Sequence, residues 1–391
     1  MDTQYRLRLP RNPFLDAVYK SGLLPPDDLI EILSQFDPDE VAAADPIQIA
    51  TFLVRKKRLT KFQAMQLLSG RTQGFLLGPY KVLEGIRQDR VGMVFLAEHT
   101  ETKEKVAVKV LPTDRVMDPT VFKPFVEEVR TAAKVKHPNV ARIIDMRSTN
   151  GTHYVACEYV ASSTLDKVVA QRGPLPAKAA ARIIAQVAIG LMHVHEKGIL
   201  HRDIKPGNIA VSPDGQAKLI DLGLTHMLEN PWKQVTRRIN MEEYAEEVAH
   251  IAPEQAWGCE LDARSDIYSL GSTFYSLITG QAAFPGLAGQ SMTERQLINI
   301  PAPSLVLGDV PADIDELVQQ MGAKDPQARC SSAREVVIAL HAYLSVDQWS
   351  ALGLDTTPTP RRRLQAPVAK AVSKPVKEGF FARLMGKLFR K

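Results

Sequence analysis

The residues best suited to chemistry lie in one short stretch, His201-Arg202-Asp203-Ile204-Lys205-Pro206-Gly207-Asn208, followed by Asp221-Leu222-Gly223. Between them, Ser212-Pro213-Asp214-Gly215 is a turn signal flanked by two largely apolar runs, Asn208 to Val211 and Ala217 to Ile220. That pattern predicts a small hairpin, which brings Asp203, Asn208 and Asp221 together. Two carboxylates and an amide around Lys205 suit a divalent cation with a polyphosphate. Mg²⁺ takes oxygen ligands, keeps several waters, and uses one or two carboxylates plus phosphate oxygens. A charged surface loop with ordinary Asp-Gly turn chemistry is the plain alternative, because a single motif is only a hypothesis.

The stretch resembles the catalytic and metal-binding loops of protein kinases, with Asp-Leu-Gly in place of the commoner Asp-Phe-Gly. The resemblance implies roles for named residues. Asp203 accepts the proton of the substrate hydroxyl, and Lys205, the position that marks serine/threonine kinases, steadies the transferring phosphate. Asn208 and Asp221 hold Mg²⁺, and Arg202 pairs with an activation-loop phosphate if one forms. Val106-Ala107-Val108-Lys109 matches the family's Val-Ala-x-Lys and puts Lys109 on the ATP α- and β-phosphates. Phe125, three residues before Glu128, and His137-Pro138-Asn139 after it fit the family spacing, so Glu128 becomes the partner of Lys109 and Glu127 the fallback. Cys157 falls at the back of the adenine pocket and Glu158-Tyr159-Val160 at the hinge. Gly92, Val94, Ala107, Lys109, Glu158 and Val160 are thereby the expected ATP-binding positions. Ile251-Ala252-Pro253-Glu254 matches Ala-Pro-Glu, with Arg329 the expected ion-pair partner of Glu254 and Asp266 the tether of the catalytic loop.

Two departures stand out. The family's Gly-x-Gly-x-x-Gly is aligned with Arg87-Gln88-Asp89-Arg90-Val91-Gly92, so only the third glycine survives. Cβ atoms at Arg87 and Asp89 restrict the backbone that glycine leaves free. Asp89 also sets a like charge near a triphosphate, which Arg87 and Arg90 offset. Before Ala-Pro-Glu, where a Gly-Thr pair is usual, the chain has Glu246-Glu247. Thr225 and Thr236 are candidate regulatory phosphosites, Thr236 the better placed.

The elements that must position these residues can be read in outline. Residues 1–77 form a helical extension: Leu29, Ile30, Leu33 and Phe36 follow a helical period, Asp45-Pro46 opens a helix, and Thr60 with Gln63 makes a capping box before a helix closed by Gly70. Phe62, Met65 and Leu68 line its expected buried face. This extension reads as an appendage packed on the main domain, with a partner-docking module as the other reading. Residues 78–345 form the kinase-like domain, an α+β, two-lobed fold with a small β-rich lobe and a large helical lobe. Expected strands are Tyr80 to Glu84, Met93 to His99, Lys105 to Leu111, Val140 to Ile144 and His153 to Glu158. Expected helices run from Val121 to Lys136 and from Ala177 to Lys197. A final helix, capped by Ser332 with Glu335, reaches Leu344. Residues 346–378 read as a flexible basic linker. Residues 379–391 form an amphipathic basic helix, with Phe380, Phe381, Leu384, Met385, Leu388 and Phe389 on one stripe.

Composition bounds the partners. The 391 residues are 45% hydrophobic, ordinary for a globular core. Cys157, Cys259 and Cys330 are far apart and form no metal-ligand or disulfide spacing, which fits a reducing interior. Residues Met1 to Phe14 lack the apolar run of a signal peptide. The apolar run Ala179 to Val194 is broken by Arg182, Gln186 and His193, so no membrane span is expected. Of the net charge of +5, the last thirty-five residues carry ten Lys/Arg against Glu378 alone, leaving the rest acidic. That tail suits an anionic membrane surface or, alternatively, a partner or self-docking groove. A Phe and Leu stripe is not a phosphate-contacting surface, so no nucleic acid is expected. The expected location is the cytoplasm, peripheral to the inner membrane face where the tail binds lipid.

The whole pattern resembles bacterial Hanks-type (eukaryotic-like) serine/threonine protein kinases with a degenerate Gly-rich loop, using ATP and Mg²⁺ on protein substrates. The alternative is a pseudokinase, a signalling scaffold that keeps the fold. In the kinase reading, Glu247 competes for Lys205 or repels Asp203. Glu247→Thr is then expected to raise phosphotransfer from labelled ATP, and an unchanged rate would count against this role.

Overall fold

Prolines open four successive helices, α1 (Pro13–Ser21), α2 (Pro26–Leu33), α3 (Pro38–Ala43) and α4 (Pro46–Arg55). At that position the missing N–H costs nothing and the fixed φ suits a helix. The structure, a computed structural model, describes residues 10–89, 92–222, 249–284, 298–350 and 352. Thr225, Thr236, Glu246-Glu247 and the C-terminal amphipathic helix lie outside these described residues, as does the linker beyond Leu352; its expected start at 346 is corrected, because Val346–Ser350 is helical and Trp349 and Leu352 pack against the core of the preceding domain.

Asp45 caps α4 by accepting from the Ile47 amide at 2.8 Å. α5 (Lys61–Leu68) carries the Thr60–Gln63 capping box, with reciprocal bonds of 3.1 and 2.9 Å. The five helices enclose their own apolar cluster around Leu15, Val18, Leu29, Leu53 and Leu67. The buried face of α5 differs from the expected one. Met65 is 68% exposed, whereas Gln63, Ala64 and Leu67 are buried. Gln63 is drawn inward because its amide also donates to Val82 O at 2.6 Å, on the neighbouring sheet. Thr60 Oγ1 donates to Leu83 O at 2.6 Å and Lys81 Nζ to Leu23 O at 3.0 Å, so side chains on both sides join the helices to the sheet. Phe36 is likewise 41% exposed, resting edge-on against Phe52.

The small lobe is a six-stranded antiparallel sheet in the order β1-β2-β3-β4-β6-β5. Its strands are β1 (Leu76–Leu77), β2 (Tyr80–Asp89), β3 (Gly92–His99), β4 (Lys105–Val110), β5 (Ile143–Thr149) and β6 (Thr152–Glu158). Between β4 and β5 come a short α6 (Thr113–Val116) and α7 (Pro119–Ala132), the latter capped by Asp118 on the Thr120 amide at 2.9 Å. β5 starts later than expected. Val140 and Ala141 are bound instead to the large lobe, Ala141 N donating to Leu219 O at 2.8 Å and Asn139 Nδ2 to Ala217 O at 2.7 Å.

The large lobe begins with β7 (Ser163–Thr164) and α8 (Leu165–Arg172), and is built on α9 (Ala177–Glu196). By length and hydropathy α9 could cross a membrane, but 67% of its apolar window is buried inside the lobe. Its core is shared with α11 (Ala263–Thr279), α12 (Ala312–Met321) and α13 (Ala333–Ala339). The hairpin of β8 (Ile209–Val211) and β9 (Ala217–Leu219) pairs with β7. α13 ends before Leu344, in a 3-10 turn at His341–Tyr343. Its expected capping box is displaced by one residue. The Glu335 carboxylate accepts from Ser331 N at 2.8 Å and Ser331 Oγ at 2.7 Å, and Ser332 makes no side-chain cap.

One buried ion pair ties α10 (Pro253–Trp257) to the base of this lobe. Arg329 grips Glu254 in a fork, at 2.6 and 2.9 Å, and Ser265 Oγ donates to the same carboxylate at 2.7 Å. The guanidinium also donates to the carbonyls of Ala323, Arg264 and Lys324 and lies 4.8 Å over the Tyr268 ring. Burial opposes ionisation of Glu254, yet Arg329 holds its carboxyl below the usual range. Removing one partner strands the other charge, so Arg329→Leu is expected to lose about 3–5 kcal/mol in urea unfolding.

Candidate active site

Asp266, on the first turn of α11, is 1% exposed and accepts three hydrogen bonds. Oδ2 takes the His201 amide at 2.8 Å and sits 2.9 Å from His195 Nε2, and Oδ1 takes the Arg202 amide at 2.8 Å. Burial opposes its ionisation, but His195 and these donors keep its carboxyl below the ordinary range. Arg202 adopts φ 65°, a left-handed conformation that costs a non-glycine residue about 1–2 kcal/mol. The Asp266 bonds hold it there. His201 is fully buried, and burial pushes its imidazole down, so it stays neutral. Its Nε2 lies 2.9 Å from Ile220 O and its Nδ1 accepts from Asp203 N at 3.3 Å. One ring therefore joins the base of the Asp203 loop to the residue before Asp221.

The loop geometry follows from these anchors. Asn208 Nδ2 donates to Asp203 O at 2.8 Å and to Asp203 Oδ2 at 2.7 Å, while Lys205 Nζ stands 3.1 Å from Asp203 Oδ1. Asn208 Oδ1 is buried and has no hydrogen-bond partner among the described residues. A bare acceptor costs free energy unless something binds it. Asp221 has φ 64°, and the adjoining Leu222 is buried in a cluster with Phe125 and Val129 of α7. With Leu222 turned inward, Asp221 faces the cleft. Asn208 Oδ1 and Asp221 together fit Mg²⁺, which needs few protein oxygens when phosphate supplies the rest. No cluster of three or more His, Cys, Asp or Glu able to cage a metal occurs among the described residues.

Val94, Ala107, Cys157, Glu158, Val160, Asp203, Lys205, Asn208 and Asp221 all line one cleft of about 620 Å³ between the lobes. Burial pushes the Cys157 thiol up to about 12, so it acts as an apolar wall. The Glu158 carboxylate turns to Lys218 Nζ, 2.5 Å away, and to the Arg142 amide at 3.2 Å. Gly92 opens β3 at φ 141°, and a Cβ there would meet Val110 O at 2.0 Å. Its need for glycine is thus visible in the strand packing itself.

The cations of the small lobe are arranged differently from expectation. Lys109 is 3% exposed, and its Nζ lies 3.8 Å from Asp221 Oδ2. Glu128 is held not by Lys109 but by Arg202, whose NH1 donates to both carboxylate oxygens at 2.8 and 3.0 Å. The left-handed backbone aims the Arg202 guanidinium at α7, where its permanently charged NH1 spans both oxygens of the carboxylate. Arg87 also enters the site, contacting Asp221 Oδ2 and donating to Gly207 O at 3.0 Å. Its misfit with the glycine pattern was the only trace of this in the sequence. His250, which also lines the cleft, left no such trace. It is buried 3.1 Å from Ser272 Oγ.

Comparisons with known proteins converge on this region. The protein kinase domain family matches residues 80–343. The serine/threonine-protein kinase PrkC of Bacillus subtilis is 30% identical over 272 residues, which are 69% of this chain and 41% of PrkC. The serine/threonine-protein kinase PknB of Mycobacterium tuberculosis is 32% identical over 270 residues, 68% of this chain and 43% of PknB. The chain therefore spans less than half the length of these curated relatives. The crystal structure of the M. tuberculosis PknI kinase domain aligns with a TM-score of 0.55 at 24% identity, over 69% of this chain and 98% of that one.

His250 makes the site acid-sensitive. Burial, aided by the Lys205 charge, lowers its imidazole to about 4 from 6.5. A histidine depressed in the folded state contributes stability that is complete above its unfolded pKa and lost as pH falls through the folded one. Folding stability should therefore drop between pH 6.5 and 4, by about 3 kcal/mol at 1.36 kcal/mol per unit. Urea unfolding of His250→Gln across this range should show a visibly flatter acid limb than wild type.

Proposed function

Because this chain belongs to the protein kinase domain family, we propose that it transfers the γ-phosphoryl group of ATP to serine and threonine hydroxyls of protein substrates. The observation that carries the reading is the cleft floor: Asp203, Lys205, Asn208 and Asp221 together, with the buried Asn208 Oδ1 left bare. In this reading Asp203 takes the proton of the acceptor hydroxyl. Lys205, 3.1 Å from it, meets the charge that builds on the phosphoryl oxygens. Asn208 Oδ1 and Asp221 hold Mg²⁺, which when bound neutralises phosphate charge. Val94, Ala107 and Cys157 receive the adenine, and the backbone from Glu158 to Val160 orients it. Lys109 is assigned to the α- and β-phosphates, and Glu128, held by Arg202 in this structure, is the carboxylate expected to pair with it. Catalysis of this kind is mostly positioning and charge stabilisation, so an altered phosphate loop slows it without abolishing it. The exposed free thiol of Cys259 supports action in a reducing compartment such as the cytoplasm.

The alternative, a pseudokinase that keeps the fold as a binding module, would rest on two ion pairs, Glu128 with Arg202 and Asp221 with Arg87. Phosphotransfer separates the two. With labelled ATP and Mg²⁺, wild type is expected to label itself or a generic protein acceptor, and Asp203→Asn to lower kcat by about 10²–10⁴, the usual worth of a general base. No labelling by wild type, together with no thermal shift on adding ATP and Mg²⁺, would leave the binding module as the function.

A further inference from the structure

Arg87 stands where the family pattern has its first glycine, and its side chain reaches across the cleft. The cause is local. The β2–β3 register slips between Gly85 and Arg87, so that Ile86 is an extra residue on β2. Such a bulge re-aims the side chain that follows it. Arg87 therefore points into the site and reaches the large lobe at two places, Gly207 O at 3.0 Å and Asp221 Oδ2. Its side chain is 27% exposed and that of Asp221 13%, so the contact is partly shielded from water. Lys109 approaches the same Asp221 oxygen from β4 at 3.8 Å.

We propose that Arg87 is a positioning residue that holds Asp221 in the absence of metal, and passes to the phosphate oxygens when nucleotide enters. This rests on the nucleotide-binding reading of the cleft. A guanidinium fork matches phosphate as well as carboxylate, so one side chain can serve both states. The contact with Asp221 has two consequences. Mg²⁺ must displace Arg87 from Asp221, and a cation remains at hand for the phosphates when no metal is bound. Arg87 thus supplies in charge what the lost glycines supplied in backbone approach.

The test is the Mg²⁺ dependence of ATP binding, measured by calorimetry on the full chain with excess EDTA and with saturating Mg²⁺. Wild type should bind ATP measurably in EDTA. Arg87→Ala should weaken that metal-free binding about tenfold or more, the usual worth of a hydrogen bond to a charged group. In Mg²⁺ it should differ from wild type far less, because the freed Asp221 offsets the lost phosphate contact. The ratio of the two dissociation constants should rise accordingly. Arg87→Gln, similar in length but uncharged, should behave the same way, which separates charge from packing. An equal or smaller ratio in both variants, or no metal-free binding by wild type, would overturn the role of Arg87 while leaving nucleotide binding intact. No ATP binding by any of the proteins in either condition would overturn both.

Discussion

A single buried carboxylate organises the catalytic side of this molecule. Asp266 is taken out of water at the start of α11, where an unpaired charge would be prohibitive. It is made tolerable by the amides of His201 and Arg202 and by His195. Those bonds set the backbone of Arg202 in a left-handed conformation and so aim its guanidinium at α7. They also seat the ring of His201, which reaches Ile220 O next to Asp221. The orientation of the Asp203 loop, the entry to the Asp221 turn and the partner of Glu128 all descend from one side chain.

At the cleft the two lobes meet through charges as well as through the apolar packing of Leu222 against Phe125 and Val129. The small lobe contributes Arg87, Lys109 and Glu128, and the large lobe Asp221 and Arg202. In a partly desolvated cleft such pairs are stronger than at the surface, yet each is exchangeable for another of similar geometry. The strand that carries Arg87 is also the strand on which the N-terminal helices sit, through Gln63 and Thr60 on the Val82 and Leu83 carbonyls. The helical unit thus buttresses the element that reaches into the site.

The sequence by itself determined what depends on near neighbours. The Asp45 cap, the Thr60–Gln63 box, the β8–β9 hairpin and the grouping of Asp203, Asn208 and Asp221 are all settled within a few residues or one tight turn. Short-range bonds of this kind have one available geometry, so spacing suffices to read them. The pattern of residue types also carried the family, since motif residues occur at the right intervals over the region matched from 80 to 343.

Only the tertiary structure decided who pairs with whom across long separations. Glu128 lies 74 residues from Arg202 in sequence, and Arg87 lies 120 from Gly207. A carboxylate accepts any cation brought within reach, so its partner depends on where whole lobes come to rest. The same reason covers the smaller surprises. The buried face of α5 was chosen by the sheet it meets, through a side chain that periodicity counts as polar. Ala141 was drawn away from β5 by the Leu219 carbonyl of the other lobe, while the Val140 amide turns back to His137 O. Hydrophobic period and motif spacing are properties of one segment. Docking is a property of two, and it is decided by whichever polar groups must be satisfied when those surfaces leave water.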